Sequence, residues 1–517
     1  MNGTASRIGK IVIRDFRFFP GNETYTFELG NEGKNLLLFG ENGSGKSSFF
    51  QGLRILLSES PPPRPFEAYR NLFYPGEEGT ITIELTAGMP QDVTWAYGEP
   101  HPAESGVSTF FDLARRATFL DYKALLRTNV FHEEAEYINL FSLLVETLLR
   151  DAELPDGQTV YQHWNALRTF LPKDAILFDD DEEHDAWPTS EEQVNESAKQ
   201  FRDQLDDILN KSAGGDKSLV DRANALLSKF TIGLEITTVV GDLKVSDVSS
   251  DPLAKQHSFS GAEVRLIASY AGKEIEHPAL FLNEARLTAV ALALYLAAVQ
   301  ATTPRDDATN IPRLLVLDDV LIGLDLSNRL PILKILEQEF SDWQVILMTF
   351  DRVWYDLAKE YTENTKKWSY LTLRVLPTTS DKPGSPIVEP GTDLLNKADV
   401  HLQNGDLMAS AVYIRAAFET RIKNVCRDKG VKVAYKPDPK DVKADQLWNE
   451  ICNRQKSRKE KGQNNFLDPN LMQDVEKVRS SVLNRLSHSG PMSLTTTEVK
   501  DALDIIRKLQ IHEFKKA

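Results

Sequence analysis

Residues 40–48 have types and spacing that suit phosphate binding. The run Gly40-Glu41-Asn42-Gly43-Ser44-Gly45-Lys46-Ser47 fits the pattern G-x-x-x-x-G-K-[ST] in full, and Ser48 follows it. Glycines let neighbouring backbone N–H groups turn toward one phosphate, and a helix that starts there adds partial positive charge. In this pattern Lys46 reaches the β- and γ-phosphates, and the hydroxyl of Ser47 holds Mg²⁺. The stretch predicts a site for ATP and Mg²⁺; a plain glycine turn is the alternative.

Two acidic residues, Asp318 and Asp319, end an apolar run that begins at Leu314. A buried parallel strand delivers the residues at its carboxyl end to the sheet edge where ligands bind. We therefore predict that Asp318 holds Mg²⁺ through its waters and that Asp319 polarises the attacking water. The alternative is that the two aspartates only cap a helix after a core strand.

The phosphate loop needs a strand before it and a helix after it, and the sequence predicts both. Residues 35–39 form an apolar run that leads into a glycine, and residues 46–57 have a helical pattern. From about 107 to 170 the pattern is helical, as in Thr109–Leu126. Residues 190–211 and 216–230 predict a short helical hairpin without sustained heptads. Further strands are predicted over 7–16, 25–29, 80–86, 91–97, 232–247 and 262–270.

The two aspartates lie in a part of the chain where helices and strands alternate. Helices are predicted over 284–300, 326–338 and 352–360, and strands over 313–318, 343–348 and 368–376. This alternation is typical of a mostly parallel sheet with helices packed on it. We predict an α/β fold: a P-loop ATPase domain with a mixed, mostly parallel sheet and a helical insertion, plus a C-terminal all-α domain.

These patterns divide the chain into five predicted segments. The predicted segments are an N-terminal lobe of the ATPase domain (1–105), a helical insertion with the hairpin (106–255), a C-terminal lobe of the ATPase domain (256–376), a proline-containing linker (377–391) and a helical domain (392–517).

The chain is acidic, with a net charge of −16, so any contact with nucleic acid requires a local basic patch. Residues 421–461 are a candidate, with 13 basic and 6 acidic side chains; an ordinary solvated surface is the alternative. The two cysteines, Cys426 and Cys452, show neither a zinc-binding nor a disulfide pattern. Without a signal peptide or an apolar run of about 18 residues, we predict a cytoplasmic protein with no membrane contact.

Several motifs together resemble the SMC/RecF-like branch of ABC ATPases over residues 1–376. The resemblance is carried by residues 11–17, by the phosphate loop and by the late strand with its aspartates. Residues 282–289 resemble the family signature, and Gly323-Leu324-Asp325 resembles its D-loop. In this family two heads hold two ATP molecules between them. The resemblance implies an ABC-type head, a homodimer or higher oligomer, and nucleotide contacts from Asn283, Ala285 and Asp325 of the opposite head. For 282–289, an ordinary helix start is the alternative.

Four positions depart from the family pattern. Asn283 replaces the serine of the family, Ala285 replaces its glycine, Asp319 replaces its glutamate and Phe350 replaces its switch histidine. The departures leave the phosphate loop intact. They predict an ATPase that binds ATP but hydrolyses it slowly.

The helical tail carries a second candidate site. Arg415 and Glu419 are four residues apart on a predicted helix, and His488 follows later. This arrangement resembles the HEPN-like domains of the anticodon nucleases PrrC and RloC. The resemblance implies RNA cleavage with His488 as acid or base and Arg415 as the group that stabilises the phosphorane. A surface ion pair in a docking domain is the alternative.

Three functions follow from these resemblances. The first is a sensor or regulatory ATPase of a bacterial anti-phage defence complex, similar to PtuA of Septu and some retrons, with a separate partner nuclease. The second is an ATP-gated tRNA ribonuclease that uses residues 392–517. The third is a RecF-like DNA-repair clamp, which would bind DNA.

Overall fold

The fold is known from a computed structural model that describes residues 6–514 outside a set of short segments. The residues outside the description are 1–5, 87–91, 124, 126–136, 169–190, 212–216, 231, 248–256, 276, 305–310, 377–383, 391–393, 434–442, 484–493, 513 and 515–517. The strands are β1 (Ile8–Arg14), β2 (Tyr25–Glu28), β3 (Asn35–Gly40), β4 (Thr80–Leu85), β5 (Val93–Ala96), β6 (Ala117–Asp121), β7 (Ile138–Asn139), β8 (Leu234–Val240), β9 (Lys244–Asp247), β10 (His257–Ser260), β11 (Val264–Tyr270), β12 (Lys273–Ile275), β13 (Arg313–Asp318), β14 (Trp343–Thr349), β15 (Trp368–Val375) and β16 (Pro386–Pro390). The longer described helices are α1 (Lys46–Leu56), α2 (Ser108–Ala114), α3 (Val160–Arg168), α4 (Glu191–Asn210), α5 (Leu219–Leu227), α6 (Glu284–Thr302), α7 (Leu326–Glu339), α8 (Arg352–Thr362), α9 (Leu394–Gln403), α10 (Leu407–Asp428), α11 (Ala444–Glu460), α12 (Pro469–Val478) and α13 (Thr496–Ile511).

A six-stranded sheet in the order β16-β15-β3-β14-β13-β6 forms the centre of the first unit. All its neighbouring strands run parallel except β15 and β16, which are antiparallel. Strands buried on both faces consist of continuous apolar runs. Along β3, Leu36 and Leu38 pack into one hydrophobic core and Leu37 and Phe39 into another. The predicted mixed, mostly parallel sheet is confirmed.

The strand β6 corrects the sequence prediction of a helix over Thr109–Leu126. That stretch contains the short helix α2 and then β6, which pairs in parallel with β13 at the edge of the central sheet. Residues 117–121 are a short apolar run, and such a run does not distinguish strand from helix by its period. Pairing with β13 decides the outcome. The segment 106–255 is therefore not only helical: it also holds β7, β8 and β9.

The helix α6 lies deep in the first unit. Every residue from Leu287 to Val299 is buried, and α6 packs against α5. By length and composition alone, α6 could cross a membrane. However, 72% of its apolar 18-residue stretch is buried inside the protein. Tertiary packing therefore accounts for its apolar character.

The chain forms two compact units, residues 1–391 and 392–517. The second unit contains α9–α13 around its own hydrophobic core, with Trp448 and Phe466 fully buried in it. The segment 377–391, predicted as a linker, instead contains β16, which pairs with β15. The prolines at the two ends of β16 suggested a break, but proline is tolerated in a strand at a sheet edge.

Candidate nucleotide-binding site

The phosphate loop connects β3 to α1. Gly45 caps α1 with φ of +106°, a conformation that residues with a Cβ rarely adopt. A Cβ at Gly40 would lie 2.4 Å from Ser44 Oγ, so the loop folds back tightly on itself. Both glycines are thus required by the curl of the loop.

Lys46 lies inside this curl and is only 5% exposed. Its Nζ donates to the carbonyl oxygens of Gly40 at 2.6 Å and Glu41 at 3.4 Å. The same Nζ lies 3.7 Å from Asp319 Oδ2. The structure therefore brings the predicted lysine and one predicted carboxylate together, across residues that are far apart in the sequence.

Asp318 ends β13 and is 3% exposed. Burial raises its pKa to about 7, and the neighbouring charge of Asp319 adds to the effect, while Lys46 and a hydrogen bond with Ser47 oppose it. Asp318 thus contacts the hydroxyl that was predicted to share a Mg²⁺ ion with it. An ionised carboxylate in such a place favours a bound cation.

Asp319 is held at the junction of β13 and β14. Its φ is +54°, its N–H donates to Met348 O at 3.2 Å, and its Oδ1 accepts from Phe350 N at 2.9 Å. Burial raises its pKa, and Lys46 counteracts this. The carboxylate is therefore fixed by backbone contacts, with Oδ2 directed toward the lysine.

Two buried polar atoms in this group test whether ATP and Mg²⁺ suit it. Ser44 Oγ and Asp318 Oδ1 are both buried without a hydrogen-bond partner among the described residues. Buried polar atoms normally have partners. The Ser44 hydroxyl in the loop can donate a hydrogen bond to a phosphate. The Asp318 carboxylate oxygen, near Ser47, can bind a Mg²⁺ ion through its waters. The residues therefore fit both groups.

A cavity of about 310 Å³ opens beside Ser48, next to the phosphate loop. Phe18 N donates to Ser48 Oγ at 3.4 Å. The opposite side consists of residues 71–74, where the side chains of Leu72 and Phe73 are 83% and 63% exposed. The size and position of the cavity suit the nucleoside end of a nucleotide. The sequence analysis missed it, although two large apolar residues in a proline- and glycine-rich stretch were a signal.

The segment 71–74 is held in place by the fully buried Asp15. Asp15 Oδ2 accepts from Arg70 Nε at 2.7 Å, and Oδ1 accepts from Asn71 N at 3.0 Å. A buried carboxylate that satisfies several donors fixes the backbone around it. The wall of the cavity is therefore built into the fold.

The signature-like stretch begins α6. The side chain of Asn283 accepts from Arg286 N at 3.0 Å, so Asn283 is a helix cap, and it is exposed, as is Asp325 at the start of α7. Ala285 is half-buried. A Cβ on Gly323 would lie 2.4 Å from Thr288 Oγ1, so the D-loop-like turn rests on α6. Among the described residues, no hydrogen bond or ion pair joins Asn283, Ala285 or Asp325 to the phosphate loop of the same chain.

Phe350 lies at the position predicted for the switch residue. Its ring centroid is 5.9 Å from Lys46 Nζ, so it presents a π face to the lysine. The following residue, Asp351, caps α8 and pairs with Arg329 at 2.6 Å. The order β14, Phe350, α8 therefore places an aromatic ring where a hydrogen-bonding side chain was expected.

The candidate site in the tail is only partly described. Arg415 Nε lies 2.9 Å from Glu419 Oε1, and Arg415 Nη1 donates to Leu483 O at 3.2 Å. His488 lies outside the described residues. The pair exists as predicted from the spacing, and the role of the three residues stays a prediction.

Comparisons with known proteins give the following similarities. A family profile described as an AAA domain matches residues 10–96. No curated protein matches the chain. The chain is similar to the structure of an Smc head bound to the C-winged helix domain of ScpA, at 12% identity and a TM-score of 0.38, covering 74% of this chain and 98% of that one.

Two further head structures give similar values. An Smc head with an extended coiled coil, bound to the C-terminal domain of ScpA from Pyrococcus furiosus, has 12% identity and a TM-score of 0.38, covering 77% of this chain and 99% of that one. The SMC head of Thermotoga maritima has 13% identity and a TM-score of 0.32, covering 74% and 98%. The segment 10–96 that the AAA profile matches includes the phosphate loop.

Proposed function

We propose that this protein is an ATPase that binds ATP–Mg²⁺ at the phosphate loop and hydrolyses it slowly. The observation that carries the proposal is the group of Lys46, Ser47, Asp318 and Asp319 at the carboxyl edge of the central sheet, in which Lys46 and Asp318 are buried. This group combines a cation for the phosphates, a hydroxyl and a carboxylate for a metal ion, and a second carboxylate for water.

Each residue has a distinct task in this mechanism. Lys46 exchanges its contacts with Gly40 O and Glu41 O for the phosphate oxygens of ATP. Ser47 and Asp318 would hold Mg²⁺, which would neutralise charge on the phosphates. Asp319, fixed by Phe350 N, accepts a hydrogen bond from the attacking water and orients it toward the γ-phosphate.

Slow turnover follows from the same contacts. One carboxylate oxygen of Asp319 already accepts from a backbone N–H and the other faces Lys46. The ring of Phe350 cannot donate a hydrogen bond to a γ-phosphate. The ATP-bound state would therefore be long-lived and could serve as a signal.

The ATP-bound form is proposed to be a homodimer of heads. Exposed apolar side chains lie near the signature-like, D-loop-like and switch positions: Phe281 before Asn283, Ile322 and Leu326 around the D-loop, and Val353 after Phe350. Exposed apolar groups near polar functional residues are typical of protein contacts. A second head would cover them.

The biological role that we propose is a sensor or regulatory subunit in bacterial anti-phage defence, with a separate nuclease as partner. It is supported by the resemblance of the sequence to PtuA-type ATPases and by the hairpin α4–α5, whose helices of 20 and 9 residues are short. Long coiled-coil arms would point to chromosome organisation instead.

A ribonuclease activity of the second unit is the alternative. It is favoured by the bond from Arg415 to Leu483 O, which joins the Arg415–Glu419 pair to the segment that leads toward His488. A RecF-like clamp is the third candidate, and DNA-stimulated, salt-sensitive ATP hydrolysis would indicate it.

One experiment separates the regulator from the ribonuclease. ATP hydrolysis and tRNA integrity are measured together for the wild type, Lys46→Ala and Arg415→Ala. Slow hydrolysis that is lost in Lys46→Ala, with intact tRNA throughout, supports the regulator. Cleavage of tRNA that needs both residues supports the ribonuclease. Hydrolysis that is unchanged in Lys46→Ala contradicts the proposed site.

A further inference from the structure

The charges of the protein are divided unevenly between its two units. Residues 1–391 carry 37 basic and 59 acidic side chains, a net charge of −22, whereas residues 392–517 carry 23 basic and 17 acidic ones, a net charge of +6. A strong difference in charge between parts of one chain is typical of contact with a polyanion. This difference does not depend on the proposed ATPase function.

The positive charge of the second unit is concentrated in two described segments, 421–433 and 443–461, which we call the basic end. They hold 11 basic and 4 acidic residues, while the rest of the unit holds 12 and 13. The structure joins the two segments, because Arg454 Nη1 donates to Lys429 O at 2.7 Å and to Gly430 O at 3.1 Å. The end of α10 and the second half of α11 therefore meet.

Arginines and aromatic rings make the frame of the basic end. The guanidinium of Arg454 lies over Phe466 at 4.8 Å, and that of Arg421 lies over Phe514 at 5.5 Å. The two rings are 5.3 Å apart. Arg458 Nε donates to Asn464 O at 3.0 Å. These arginines fix the backbone, which leaves the lysines as the mobile charges.

Six lysines of the basic end are exposed: Lys423, Lys432, Lys443, Lys456, Lys459 and Lys461. None of them forms an ion pair with a carboxylate of the described residues. Elsewhere in the unit, by contrast, Lys477 lies 3.5 Å from Asp474 and Arg507 lies 2.6 Å from Asp399. A lysine in the last turn of a helix can also be explained by its attraction to the helix dipole. That explanation does not apply to Lys432, Lys443 and Lys461, because they lie outside the helices.

We infer that the basic end binds the phosphate backbone of a nucleic acid. Lysine ammonium groups on flexible stems suit phosphates as point charges and do not read bases, so the contact is independent of sequence. Phosphates recur along a strand about every 3.4 Å, so several of these lysines can engage one strand. RNA and DNA share this chemistry.

The test uses the full chain and a labelled single-stranded RNA or duplex DNA, with binding followed by anisotropy between about 50 and 200 mM salt. The variant Lys456→Gln/Lys459→Gln/Lys461→Gln removes three charges from the basic end. The control Lys477→Gln/Lys500→Gln/Lys508→Gln removes three exposed lysines elsewhere in the unit. All six side chains are exposed, and thermal unfolding of each variant verifies that the fold is intact.

The expected result is that the first variant lowers the slope of log K against log salt by about 2–3, while the control changes it by less than 1. Comparing the affinity for the RNA with the affinity for the DNA shows which nucleic acid the protein prefers. Equal losses in both variants, or no binding to either nucleic acid, would overturn the inference. ATP hydrolysis is recorded separately, so a failure of the proposed ATPase is distinguishable from a failure of this surface.

Discussion

At the scale of single residues, Asp318 and Asp319 show how two adjacent aspartates acquire different environments. Asp318 contacts Ser47 and keeps one oxygen without a partner among the described residues, whereas Asp319 is held by Lys46 and Phe350 N. A metal ligand needs a free lone pair, and a water-orienting group needs a fixed position. The surroundings thus support the two different roles proposed for this pair.

The raised pKa of Asp318 predicts how stability depends on pH. Its pKa is about 7 in the folded protein and 3.8 in its ordinary state, so the folded form holds the proton more tightly. Its contribution to stability is fully present below pH 3.8 and is lost as pH rises to about 7. The asparagine in the variant Asp318→Asn cannot ionise. In the absence of nucleotide, the melting temperature of this variant should therefore exceed that of the wild type by a margin that grows as pH rises from 3.8 to about 7.

The gain should correspond to more than about 1 kcal/mol, because one pKa unit is about 1.4 kcal/mol. Thermal unfolding over a pH series measures it. Asp325→Asn, at an exposed position, is the control and should follow the wild type. A constant difference between Asp318→Asn and the wild type at all pH values would contradict the prediction.

The aromatic ring of Phe350 predicts an effect on turnover. Phe350→His places a hydrogen-bonding group beside Lys46, and we expect kcat for ATP hydrolysis to rise by about 10-fold or more, since such groups contribute about 10²–10⁴-fold. Phe350→Leu is the control without a hydrogen-bonding group. If both variants hydrolyse ATP at the same rate, the absence of a histidine is not what limits turnover.

At the scale of structural elements, the segment 71–74 links the buried Asp15 to the cavity beside Ser48. Phe73→Ala removes an exposed ring that can stack on a base, and stacking is worth about 1–3 kcal/mol. We expect the Kd for ATP to rise by about 5-fold to 150-fold, as measured by calorimetry in the hydrolysis-poor variant Asp319→Asn.

Tyr361→Ala is the matched control for this measurement, because Tyr361 is an exposed aromatic residue on α8. It should leave the Kd unchanged. Equal Kd values for Phe73→Ala and Tyr361→Ala would show that the cavity does not hold the nucleoside.

At the scale of the whole molecule, the proposed dimer makes a prediction about assembly. Leu326 and Val353 are 47% and 69% exposed, and a second head would bury them. In Leu326→Asp/Val353→Asp, buried like charges should weaken ATP-dependent dimerisation by at least about 10-fold, with ATP binding to the monomer retained. Light scattering with and without ATP measures this. Val400→Asp, in the second unit, is the control; dimers that persist in the double variant would contradict the interface.

The sequence by itself determined the local features of this protein. The phosphate loop, the apolar strand that ends in Asp318 and the alternating elements from 284 to 376 were predicted close to their observed bounds, because turn chemistry and hydrophobic period are local properties.

The tertiary structure decided what depends on distant partners. Pairing with β13 made residues 117–121 a strand, and pairing with β15 made residues 386–390 another. Burial beside Asp319 raised the pKa of Asp318, and Asp15 brought the segment 71–74 to Ser48. Strand pairing, desolvation and cavity walls arise between residues far apart in the chain, and no local pattern records them.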